Sequence, residues 1–128
     1  METKNMLVVE DEKPLLKAIQ AKMEQNGFDV VTARSVGQAL NMLKDIEKID
    51  VIWLDHYLLG AEDGLAFLAQ VKNNEEWKKI PVYVVSNTAT QDKIQSYMSL
   101  GVDKYYTKAD YRLDEIIEDI KNNFEKEG

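Results

Sequence analysis

The chain contains no cysteine, which excludes disulfides, thiolate metal sites and thiol nucleophiles. A single histidine, His56, excludes any site built on two of them, the helix-borne zinc pair included. Positive charge is also short: 16 Lys and Arg stand against 23 Asp and Glu, a formal net charge of −7. Gripping a phosphate backbone takes clustered cations, so direct nucleic-acid binding is not expected. No apolar run approaches the ~20 residues of a membrane helix, and the polar start METKN lacks the pattern of a signal peptide. A cytoplasmic chain with no membrane partner is expected. Two prolines, six glycines and no visible repeat or linker leave residues 1–128 reading as one domain, and 45% hydrophobic residues suffice for a core.

What is present is an alternation. Short apolar runs at Met6–Val9, Phe28–Ala33, Val51–Leu54, Pro81–Val85 and Lys104–Thr107 are mostly continuous, as in strands covered on both faces. Helix-period segments lie between them. Pro14 opens one with Leu15, Leu16, Ile19 and Met23, closed by Asn26-Gly27. Ser35 with Gln38 makes a capping box ahead of Ala39, Leu40, Leu43 and Ile46. Further helices are predicted over Gly64–Asn73, over Asp92–Leu100 before Gly101, and after Asp110, a plausible N-cap. The last would bury Leu113, Ile116, Ile117, Ile120 and Phe124. Five strands alternating with five helices imply right-handed βαβ units. The expected fold is a flavodoxin-like, doubly wound α/β domain with parallel strand order 2-1-3-4-5. Its ligand site would lie at the carboxyl ends of strands 1 and 3.

Glu10 and Asp11 directly follow the first run, and Asp55 ends the third. In this topology the three carboxylates converge. Like charges so close require a retained proton or a cation among them, and hard oxygen donors in a small site favour Mg²⁺. An acid after a strand can equally cap the next helix, a reading that suits Asp11 alone better than the set. Ser86 ends the fourth run and Lys108 follows the fifth. Alone they read as a turn former and a solvated cation. Beside the acids they supply a hydroxyl donor and a point charge for phosphoryl oxygens.

With 44 residues from Asp11 to Asp55, 31 on to Ser86 and 22 on to Lys108, the set resembles the receiver domain of two-component response regulators. The stretches MLVVEDE, VIWLD, EDGLAFL, IPVYVVSN and GVDKYYTK carry the resemblance in order along nearly the whole chain. It implies that Asp55 accepts a phosphoryl group from a histidine kinase or phosphotransfer protein. It also implies that Glu10, Asp11, Asp55 and the backbone carbonyl of Tyr57 hold Mg²⁺. Lys108 and Ser86 would contact phosphoryl oxygens. Tyr105, three residues before Lys108, would turn with Ser86 as the switch aromatic, and output would pass through the face of helix 4, strand 5 and helix 5 to a protein partner.

The chain departs from that family in places. Leu59 stands where proline is usual, and Gly64 comes nine residues after Asp55, so the loop HYLLGAED holds one residue more. Ala109 replaces the proline commonly preceded by a cis bond; a trans bond with a shifted Lys108, or strain, is expected there. His56 reads as a surface or loop histidine, and Trp53 and Trp77 as packing residues. Two further readings share the acids: a pseudo-receiver that binds without responding to phosphorylation, and a small Mg²⁺-dependent phosphatase with Asp55 as nucleophile. The second lacks the further aspartate that Tyr57 replaces. An FMN-binding flavodoxin is disfavoured, since Glu10-Asp11-Glu12 would repel phosphate.

Overall fold

The computed structural model describes residues 3–87 and 90–127. Met1 and Glu2 of the polar start, and Gly128, lie outside the described residues. The elements alternate as read: β1 (Lys4–Val9), α1 (Lys13–Gln25), β2 (Phe28–Ala33), α2 (Val36–Asp45), β3 (Val51–Leu54), α3 (Gly64–Lys72), β4 (Val82–Ser86), α4 (Gln91–Ser99), β5 (Lys104–Thr107) and α5 (Leu113–Glu127). The sheet is parallel in the order β2-β1-β3-β4-β5.

Continuous apolar strands are explained by cover on both faces. Met6, Val8, Trp53, Tyr83 and Val85 pack with Leu16, Ile19 and Met23 of α1 and Ile116, Ile117 and Ile120 of α5. Leu7, Val9, Ile52, Leu54 and Val84 pack with Ala39 and Leu43 of α2, Phe67, Leu68 and Val71 of α3, and Tyr97 of α4. Leu113 and Phe124 of the expected α5 face are partly buried, and the Phe124 ring meets Phe28 edge-on at 5.9 Å. Among the described residues no helix is long and apolar enough to cross a membrane.

Local signals set most boundaries. Gly27 takes the left-handed conformation that ends α1 (φ +90). The Ser35 hydroxyl caps α2 by accepting from the Gln38 N–H at 3.2 Å, and Gln38 reaches back to the Arg34 N–H at 2.8 Å. One boundary differs from expectation. Asp110 lies in a turn, its N–H on the Thr107 carbonyl at 3.0 Å, and α5 begins three residues on. There the Glu115 carboxylate accepts from the Arg112 N–H at 2.9 Å, a bond that uses one of the donors a helix start leaves open.

Gly37, in the first turn of α2, needs none of glycine's freedom: a Cβ there would meet nothing within 4 Å. Gly37→Ala is therefore expected to stabilise the domain by about 0.5–1 kcal/mol, read as a higher urea midpoint. A lower midpoint would contradict this.

Candidate functional site

Val9 and Leu54 are register partners at the ends of β1 and β3, so Glu10 and Asp55 leave the sheet side by side. The backbone holds them there. Glu10 N–H bonds the Ala33 carbonyl at 3.0 Å, and Asp55 N–H bonds the Val9 carbonyl at 2.9 Å. Both side chains are buried. Asp11 is half-buried, and Arg34 grips its carbonyl with Nε and Nη2 at 2.9 and 2.7 Å. One carboxylate oxygen from each of Glu10, Asp11 and Asp55 lies within 4.8 Å of the other two. The acids expected to converge do so.

Lys108 follows β5, and its N–H bonds the Ser86 carbonyl at 2.8 Å. Its ammonium donates to Glu10 Oε1 at 3.1 Å and stands 3.7 Å from Asp55 Oδ1. The other Glu10 oxygen accepts from the Glu12 N–H at 3.2 Å. All described peptide bonds are trans, Lys108–Ala109 included, and the backbone there carries no positive φ. Of the two outcomes expected at Ala109, the trans bond is found, yet Lys108 still reaches both buried acids.

The electrostatics follow from burial. Desolvation, helped by the Glu10 charge and opposed by Lys108, pushes Asp55 up to about 7. Desolvation raises Glu10 too, with Lys108 opposing. Asp55 Oδ1 is buried without a hydrogen-bond partner, and such an orphaned acceptor is costly unless something else meets it. Three hard oxygen donors and one unsatisfied carboxylate oxygen fit a small divalent cation such as Mg²⁺.

Ser86 is buried at the end of β4. It hydrogen-bonds the side chain of Tyr105, whose hydroxyl burial pushes up. Tyr105 leans on Tyr97 of α4 with ring centroids 5.6 Å apart. Tyr57 is about half exposed in the loop two residues beyond Asp55.

That loop explains the leucine at 59. Its N–H bonds the Arg34 carbonyl at 3.0 Å, and Leu59 forms an isolated parallel bridge with Ser35. A proline has no N–H to donate there. Gly60 then takes φ +91, a conformation glycine reaches without penalty. The extra residue is thus absorbed in a turn pinned to the segment between β2 and α2.

His56 corrects the sequence reading. It lies in the loop after β3, as one half of that reading has it, but buried and not at the surface, and its Nδ1 lies 2.7 Å from the Tyr97 hydroxyl. No local signal marks it, because the partner is 41 residues away. Trp53 and Trp77 are core and partly buried packing residues, as expected.

Comparison with known proteins places this geometry. The sequence profile of the response regulator receiver domain matches residues 6–121. The phosphate regulon transcriptional regulatory protein PhoB of Escherichia coli K12 is 32% identical over 105 residues, 82% of this chain and 45% of PhoB. The chain thus spans less than half the length of the curated relatives it matches. Among solved structures, the phosphorylated cyanobacterial phytochrome response regulator RcpA superposes with a TM-score of 0.81 at 29% identity, over 94% of this chain and 91% of that one. The Mn²⁺-bound form of response regulator Rcp1 superposes with a TM-score of 0.79 at 25% identity, over 93% and 90%. The chain belongs to the receiver domain family of two-component response regulators. Such domains are in general signalling switches rather than metabolic enzymes.

Proposed function

We propose that this chain, as a single receiver domain over residues 1–128, accepts a phosphoryl group on Asp55 and relays its presence to a protein partner. The observation that carries the reading is the buried Asp55 Oδ1, without a hydrogen-bond partner and set among Glu10, Asp11 and Lys108. The donor is a histidine kinase or a phosphotransfer protein. One Asp55 carboxylate oxygen attacks phosphorus, the P–O bond forms as the P–N bond to the donor histidine breaks, and the imidazole leaves with the electron pair. Mg²⁺, held by Glu10, Asp11, Asp55 and the Tyr57 carbonyl, supplies the charge that lets an anionic nucleophile approach an anionic phosphoryl group. Two relatives resemble this reading by their descriptions, one being phosphorylated and one holding a divalent cation.

Lys108 exchanges its bond to Glu10 for a phosphoryl oxygen. The Ser86 hydroxyl donates to another, which disturbs its bond to Tyr105 and sets the switch aromatic. That change propagates to the face of α4, β5 and α5 as a shift between two conformers. The chain is no enzyme beyond catalysing its own phosphorylation and dephosphorylation. It acts in the cytoplasm through protein contact, without touching nucleic acid or membrane itself, whatever regulators such as PhoB do with their remaining half.

Incubation with acetyl phosphate and Mg²⁺ should give an acid-stable, alkali-labile phosphoryl adduct, abolished by Asp55→Asn and detected by intact mass. Mg²⁺ binding without an adduct would favour the pseudo-receiver. Release of many phosphate equivalents per chain would favour the phosphatase.

A further inference from the structure

The residue directly after the phosphoacceptor is tied to α4 by a buried polar bond. His56 and Tyr97 are 2% and 0% exposed, and a Nδ1–hydroxyl separation of 2.7 Å leaves no doubt of contact. Burial, with Lys93 in the same sense and Asp63 opposing, lowers the His56 pKa, and burial raises that of Tyr97. Asp63 Oδ2 stands 3.7 Å from His56 Nε2; with the proton on that nitrogen, Nδ1 accepts from the Tyr97 O–H. Asp63 is itself held, since its other oxygen caps α3 through the Ala66 N–H at 3.0 Å.

The bond occupies a fitted space. Gly64 donates its N–H to the His56 carbonyl at 2.8 Å, and a Cβ at Gly64 would overlap the Tyr97 hydroxyl. On its other side Tyr97 carries the ring of Tyr105, which is bonded to Ser86. Tyr97 is therefore held between two groups that start at the phosphorylation site: His56, rigid with the end of β3, and Tyr105, which the site is able to release.

We propose that the Tyr97–His56 hydrogen bond is a resting-state anchor that fixes α4 while Asp55 is unmodified, and that Tyr97 and His56 are positioning residues for the switch. This rests on the phosphoacceptor reading above. When Ser86 turns to a phosphoryl oxygen, its bond to Tyr105 is disturbed and the Tyr105 ring shifts. The His56 bond resists Tyr97 following, so the anchor adds to the free-energy gap that phosphorylation must overcome. By linkage, whatever lowers that gap tightens binding of a phosphoryl mimic.

The experiment is a Mg²⁺-beryllofluoride titration of the full chain, with amide exchange of α4 followed in parallel. Tyr97→Phe keeps the ring and removes the hydroxyl. It should bind beryllofluoride roughly two- to tenfold more tightly, the worth of one buried hydrogen bond, and show faster α4 exchange before the mimic is added. His56→Leu should produce the same tightening, and the double variant little more, since both remove one bond. Unchanged affinity with reduced stability would show a merely structural bond and overturn the proposal. Weaker binding in Tyr97→Phe would place the bond in the active conformer and overturn it too. If Tyr97→Phe fails to fold, His56→Gln, which keeps an acceptor, must bind as wild type and His56→Leu more tightly. Wild-type protein that takes no beryllofluoride would refute the phosphoacceptor reading itself, and the anchor with it.

Discussion

Gly64→Ala is expected to destabilise the domain by roughly 2–4 kcal/mol, combining overpacking with the disturbance of a buried hydrogen bond. The contrast with Gly37 is purely one of surroundings. A Cβ at Gly64 would overlap the Tyr97 hydroxyl, stand 2.7 Å from the Asp55 carbonyl oxygen and reach 3.0 Å from the His56 Cα. Two of these three are backbone at the end of β3, so relief requires moving the strand end that carries the phosphoacceptor. Moving Tyr97 instead breaks its bond to His56 and disturbs the ring of Tyr105. Neither route is cheap in a close-packed interior. Urea unfolding measures the loss, and acetyl-phosphate labelling should slow in the fraction that remains folded. A change below about 0.5 kcal/mol would mean that α3 slides freely over the strand end, and the packing argument would fail.

The same residues show where sequence reasoning reaches and where it stops. The sheet was legible because Met6–Val9 and Val51–Leu54 are continuous apolar runs, a pattern that requires cover on both faces and so fixes the helices between strands. The acids were legible because strand ends are local features, and the topology alone brings the ends of β1 and β3 together. Contacts that depend on a partner far along the chain were not. His56 has no periodic signature, and its burial is decided by Tyr97. Leu59 looks like a defect until its N–H is seen on the Arg34 carbonyl. Lys108 is placed in the site by its position after β5, but its grip on Glu10 is a contact between residues 98 apart that no local pattern marks. The start of α5 lies three residues beyond Asp110 because Asp110 is held in a turn by the Thr107 carbonyl, while Glu115 accepts from the Arg112 N–H at the helix start.

Removing the charge at position 55 should raise stability in metal-free buffer, and supplying Mg²⁺ should narrow that gap. Asp55 titrates near 7 in the folded chain against an ordinary 3.8, chiefly because it is buried and secondly because Glu10 is beside it. The unfolded chain therefore releases this proton near pH 4, whereas the folded chain keeps it until about pH 7. Over that window the native state binds more protons than the unfolded one, so the contribution of Asp55 to stability falls as pH rises and levels off above the folded value. Glu10 is raised in the same sense, so the slope belongs to the pair. Asp55→Asn removes the group from the cycle. In EDTA at pH 8 the variant should exceed wild type by roughly 2 kcal/mol or more, and near pH 3.5 the two should converge. Magnesium at a hundred times its dissociation constant adds about 2.7 kcal/mol to whichever chain binds it. That gain goes to wild type, whose free Asp55 oxygen the amide does not replace as an anionic ligand. Denaturant midpoints of both chains across pH 3.5–8, with and without Mg²⁺, test the argument together. Parallel pH curves in EDTA would show that Asp55 is not held protonated by burial, and an equal response to Mg²⁺ would remove it from the cation site.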